Sequence, residues 1–323
     1  MNRPGEQRKN KMNKRMKMII LGTMIAATAG ALLYSGGAGR AAQESGYKPL
    51  VEFEGTIVFH SNFDGDNEIY VLDKKGLVQL TNNSWNDEYP VWSPDGSRIA
   101  YTSDPDGHYD IHVMNADGSM TGAVTSFTSD EKEPSWFPDG NRIAYSREIS
   151  RLLRDKISLY KVNLREGKSA PLIPGSGKTN AIPDISPTEP LVTFTQKRLM
   201  GWDSALYNWK TGKAEWLDEG GKSCRARFSP DGTMLAYVSS KADGKGDIWL
   251  MKADGSGKRR LTERDETYDY FPSWSPDGRF VVFNSSTQHD HSGDWQLWIV
   301  EVTTGRAELL LDTPGNDVFP DWK

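Results

Sequence analysis

The side chains able to do covalent or metal chemistry are few and widely spaced. Histidines stand at 60, 108, 112, 289 and 291. An imidazole holds a metal or moves a proton only where partners converge on it. His289-Asp290-His291 puts ligand types in one turn, but no further ligands stand at a recognisable spacing, so any metal is left unknown. Cys224 is the single cysteine, which excludes an internal disulfide and a cysteine-based zinc cluster. Arg225 beside it would favour the thiolate, yet no catalytic partner is recognisable. No Gly-x-Ser-x-Gly elbow occurs. Gly175-Ser176-Gly177-Lys178-Thr179 looks like the end of a phosphate loop, but position 172 is Leu where that motif needs Gly. The acid-rich turns Asp64-Gly65-Asp66-Asn67-Glu68, Asp104-Pro105-Asp106-Gly107 and Asp243-Gly244 lack the spacing of a calcium loop and fit hairpin turns. No cofactor is indicated, with calcium at those turns left open.

The elements that must position these residues are repeats. Trp92-Ser93-Pro94-Asp95-Gly96 returns at 136–140, 228–232 and 274–278, in degraded form at Ile185-Ser186-Pro187-Thr188-Glu189, and in truncated form at Pro320-Asp321-Trp322. The spacings are 44, 49, 43, 46 and 48 residues, the period of propeller blades. Each repeat predicts four short strands. An anchor strand ends in the Ser-Pro-Asp-Gly turn, then comes a β-rich segment such as Arg98-Ile99-Ala100-Tyr101. A third segment pairs an aliphatic residue with an aromatic one or a histidine (His112 in the second repeat), which makes His112 a packing residue. The fourth segment is short, as in Leu80-Thr81, Val124-Thr125, Leu172-Ile173 and Leu261-Thr262.

Proline recurs in five anchor strands, at 90, 134, 183, 272 and 320, with Ala226 in the remaining one. Proline donates nothing to a ladder, so the anchor strand is read as a sheet edge facing a central channel. The aromatic residue two places later should pack between sheets. The first repeat begins at its second strand and the last stops after its first, so pairing the two closes a ring. The expectation is an all-β, six-bladed propeller with four-stranded blades over residues 55–323.

Pro-x-Trp-Ser-Pro-Asp-Gly, then Ile-Ala-Tyr, then Ile-aromatic, then Leu-Thr resembles the TolB-like propeller repeat, a relative of the WD-repeat families. The resemblance implies the fold and, at the level of function, a non-catalytic binding propeller. TolB itself carries a further N-terminal domain, for which residues 40–54 leave no room, so a different role in the envelope is expected. Related propellers precede the hydrolase domain of some serine peptidases, and none is expected here. Others are metal-dependent lyases of pectic sugars, which makes a metal-dependent carbohydrate-active enzyme the alternative.

Charge divides the chain. Residues 1–40 hold eight Lys/Arg and one acid, whereas the remainder holds 31 Lys/Arg against 43 Asp/Glu. An acidic body excludes a nucleic-acid groove. The basic run from Arg8 to Lys17 precedes seventeen uncharged residues, Met18 to Tyr34. That pattern predicts a signal peptide or membrane anchor over 1–39, with a linker over 40–54 and the bulk extracytoplasmic.

The turns between second and third strands should share one face, and there the blades differ. Blades 3 and 4 carry Arg147, Arg151, Arg154, Lys156, Lys197, Arg198 and Trp202, while blade 2 carries Asp104 and Asp106. Arg and Trp are favoured at interface hot spots. This base-rich arc is expected to bind an acidic partner, an envelope protein or polymer, with the acidic arc opposite it.

Overall fold

Each repeat folds into one antiparallel sheet, because its apolar segments are just long enough to cross a blade and are separated by turns. A computed structural model describes residues 43–44, 46–149, 156–175, 178–289 and 293–323. Blade 2 is typical: Asp87–Trp92, Arg98–Ser103, Asp110–Asn115 and Gly122–Ala123 run from the channel outward. Five sheets have this four-stranded order. Ile99, Ala100 and Tyr101 are buried in succession rather than alternately, since sheets press on both faces of the blade.

The ring closes as the repeats require. Val318–Trp322 pairs with Ile57–Ser61, placing Trp322 opposite Ile57. It forms the inner strand of blade 1, whose other strands are Glu68–Asp73 and Gly76–Gln79. That sheet differs from the four-stranded expectation by an added outer strand, Gln43–Glu44, paired with the open edge at Val78 and Gln79. Residues 46–54, expected within a linker, also lie on the propeller. Tyr47 C=O accepts from Leu77, Leu50 N–H donates to Leu310 at 2.9 Å, and buried Phe53 meets Trp322 edge-on at 5.7 Å. The segment expected as signal or anchor lies outside the described residues. No described helix is long and apolar enough to cross a membrane.

The aromatic anchors do join blades. Trp92 packs with Val58, Ile69 and Leu80 of blade 1, and Trp136 with Val91, Ala100 and Ile111 of blade 2. Trp136 Nε1 donates to Val91 C=O at 3.2 Å. The fourth strands lie slightly earlier than expected in four blades, at Gly76–Gln79, Gly122–Ala123, Lys168–Pro171 and Arg259–Arg260. In three of these the Leu-Thr or Val-Thr pair that follows ends the ladder by substitution. Thr81, Thr125 and Thr262 hydroxyls accept the third-strand N–H groups of Ile69, Ile111 and Ile248. The turns after Trp92, Phe228 and Trp274 are satisfied internally too: Ser93 donates to Asp95, whose carboxylate also accepts from Ser97 N–H, and Ser229 and Ser275 donate to Asp231 and Asp277.

Candidate functional site

Six side chains converge on the channel because every anchor strand bulges at the same place. The residue before the proline position has positive φ in all six blades: Tyr89 at 54°, Glu133 at 60°, Ile182 at 57°, Arg225 at 58°, Phe271 at 54° and Phe319 at 56°. A non-glycine residue there costs about 1–3 kcal/mol and persists only when its surroundings hold it. In four of the bulges a side chain of the preceding blade does so. His60 Nδ1, Ser146 Oγ, Thr195 Oγ1 and Asn284 Oδ1 accept the N–H groups of Tyr89, Ile182, Arg225 and Phe319.

The bulges turn these residues inward, where with the prolines they narrow the channel to a void of about 50 Å³. Beyond it, on the face carrying the second-to-third-strand turns, the channel opens into a cavity of about 770 Å³. Tyr89, Tyr270, Phe271, Trp295, Phe319 and Trp202 give its wall an aromatic character. On the opposite face a separate recess of about 410 Å³ lies among the Ser-Pro-Asp-Gly turns.

The charges in the mouth are unevenly partnered. His60 stacks on Phe319 at 5.1 Å, and burial pushes its pKa down to about 3, so the ring is neutral at pH 7. Burial raises the Glu133 carboxyl above the usual range, and its Oε2 accepts from Ser146 and Ile182. Arg225 stacks on Phe271, with its guanidinium carbon 4.1 Å from the ring centre, and sits 5.3 Å from that of Tyr270. One of its terminal nitrogens donates to Cys224 Sγ at 2.9 Å, while its Nε is buried without a partner. Arg227, two residues on and below the constriction, is by contrast paired with Asp184 and Asp321.

The residues expected to form the basic arc are only partly brought together. Lys197, Arg198 and Trp202 share the blade 4 hairpin, with Lys197 Nζ 5.8 Å from the Trp202 ring centre. Arg198 lies 3.6 Å from both Asp203 and Glu219 and stacks on Trp216. Arg147 is drawn into its own blade by Glu131 at 3.3 Å and by the Phe127 ring. Lys156 sits opposite Ile149 on the neighbouring strand, and Arg151 and Arg154 lie outside the described residues. Asp104 and Asp106 accept turn N–H groups from Asn86 and His108. Of these expected residues, Trp202 lines the mouth cavity.

Among the described residues, no group of three or more His, Cys, Asp and Glu side chains converges as metal ligands. His289 edges the mouth against Tyr268, and Asp290 and His291 lie outside the described residues. The bulge residues were missed in the sequence. Their signal is positional: they precede the recurring proline, and they vary where the motif around them repeats.

The chain matches the TolB beta propeller domain over residues 53–211 and 203–322. It is 27% identical to dipeptidyl-peptidase 5 of Porphyromonas gingivalis over 315 residues, covering 78% of this chain and 44% of that protein. It is 37% identical to the Tol-Pal system protein TolB of Zymomonas mobilis over 83 residues, 26% of this chain and 17% of that one. The chain thus spans less than half the length of these curated relatives. The crystal structure of TolB from Acinetobacter baumannii superposes with a TM-score of 0.70 at 22% identity, covering 84% of this chain and 67% of that one. With matches that together span the whole ring, this chain belongs to the TolB beta propeller domain family.

Proposed function

We propose that this chain is a non-catalytic, extracytoplasmic binding propeller that presents its mouth face to a partner in the cell envelope. The observation that carries the reading is the cavity of about 770 Å³ at the channel mouth. It opens on the face whose turns differ from blade to blade, whereas on the opposite face three blades repeat one internally satisfied turn. A rigid ring with one variable face is the arrangement by which a scaffold mounts binding loops. Likeness to proteins named for the Tol-Pal system supports an envelope protein as partner, with an acidic envelope polymer as the other candidate. The basic-then-apolar segment before residue 40 would export the chain, either cleaved or retained as its anchor.

The metal-dependent lyase alternative draws on fold alone, through an oligogalacturonate lyase in complex with manganese at a TM-score of 0.57 and 16% identity. The test is crosslinking in intact cells followed by capture of the full, C-terminally tagged chain. Arg151, Arg154, Lys197 and Arg198 are changed to Ser together, with Lys74, Lys75 and Lys210 on the opposite face as the matched control. The arc variant should lose the captured partner while the control keeps it. Equal capture at equal salt dependence removes the arc from the site. Stoichiometric metal with activity on polyuronides would favour the lyase instead.

A further inference from the structure

We propose that the mouth cavity receives an acidic side chain of a partner polypeptide, with Arg225 as its carboxylate receptor and the blade 4 hairpin as an apolar ledge beside it. The inference rests on the mouth being the binding face, and it adds the chemistry of the ligand.

Arg225 is a cation with no carboxylate in ion-pair contact among the described residues. Its Nε is buried without a partner. A guanidinium withdrawn from water in this way is costly unless a counter-charge reaches it. Glu133 attracts it only through space, without an ion pair, and the Glu133 Oε2 accepts from Ser146 and Ile182. Arg227 shows what a satisfied guanidinium looks like in the same strand, held between two aspartates. The Arg225 side chain is also oriented in advance. Its backbone is fixed in the bulge by Thr195 Oγ1 at 3.0 Å, and its guanidinium plane lies against Phe271. A fixed guanidinium fork matches the two oxygens of a carboxylate. The exposed Lys222, on the same cavity wall, adds positive charge.

The ledge argues for a polypeptide rather than a saccharide. Leu199 is 98% exposed and Met200 80% exposed, at the tip of the hairpin whose Gly201 and Trp202 line the cavity. Blades 1, 2 and 5 place acidic, glycine-bearing turns at this position, for example Asp104-Pro105-Asp106-Gly107. The tip is braced: Gly201 has φ 136°, a Cβ there would overlap the Gly221 carbonyl, and Trp202 bridges to Lys222. Two large apolar side chains presented to water on a braced hairpin beside a polar receptor fit a segment that carries an apolar residue near its acid. A uronate supplies the carboxylate without the apolar cover.

Cys224 provides the test, since it is the single cysteine and lies on the cavity wall against Arg225. Alkylation of Cys224 by iodoacetamide is followed by mass in the full chain, each variant being referred to its own unliganded rate. The probes are acetyl-Leu-Trp-Asp-Gly-amide, the same peptide with Asn for Asp, and digalacturonate. The Asp peptide should protect Cys224 at a concentration about tenfold lower than the Asn peptide, as one charge-assisted contact implies. Arg225→Gln should erase that difference, and Arg225→Lys, which keeps the charge and guards against a folding failure, should retain part of it. Leu199→Ser with Met200→Ser should weaken both peptides alike. Equal protection by the two peptides overturns the receptor role of Arg225 and leaves the mouth as a binding face. Protection by digalacturonate alone, or by no probe, overturns the acidic-peptide proposal. The mouth itself falls only if changes to its wall also leave envelope capture intact.

Discussion

At the scale of single residues, the site is made by six backbones held where their side-chain types would not choose to be. Tyr89, Glu133, Ile182, Arg225, Phe271 and Phe319 carry positive φ, and four of their N–H groups are accepted by side chains of the preceding blade. Thr195→Val keeps the shape of the acceptor beneath Arg225 and removes its hydrogen bond. A buried N–H left unmade costs about 1–3 kcal/mol, so the urea midpoint should fall accordingly, while Thr195→Ser should stay near the parent. An unchanged midpoint for Thr195→Val would mean that the bulge is not held in this way. These residues were not legible in the sequence, because propensity argues against positive φ at tyrosine, isoleucine and phenylalanine. The recurring proline marked the strand as an edge, but only the packed ring shows that the residue before it turns into the channel.

At the scale of the element, each blade is fastened to the next by a buried anchor, aromatic in five blades and Ile185 in the fourth, and the first joint adds buried polar groups at the mouth end. Trp92 and Trp136 were legible in the sequence from the motif spacing, and their burial against the preceding blade follows from it. The polar joints were not, since carboxylates scattered through strands read as solvated charges. Glu68 is one of them: it is buried at the start of a strand, accepts from Asn83, and faces Asp87. Burial raises its pKa from 4.5 to about 8. The folded state therefore binds more protons than the unfolded one between those values, and stability from this group is lost as pH rises through that window. Glu68→Gln should flatten the decline, making the variant relatively more stable than the parent near pH 8 and not near pH 4.5. Parallel stability curves for the two proteins across that range would contradict the burial of a neutral carboxyl at the joint.

For the whole molecule, six in-phase repeats made the ring and its closure readable before any coordinates. What stayed hidden was local and non-repeating: the two-residue strand Gln43–Glu44, the docking of residues 46–54, and the partners of the arc charges. Charge counting within the turns found Arg147 and Arg198, with Asp203 among the acids beside them, but not Glu131 and Glu219, because those partners come from segments outside the turns. The ring repeats one turn in three blades on one face and varies its turns on the other, with the larger of the two recesses at the centre of the varied face. The central claim is that binding occurs there. A photoreactive phenylalanine placed singly at Met200 or Lys222, both exposed at the mouth, is compared in living cells with the same residue at Asp117 or Asp254, both exposed in turns of the opposite face. The account predicts a discrete adduct from the two mouth positions and none from the other pair. Adducts of equal yield from both faces, or from Asp117 and Asp254 alone, would contradict it.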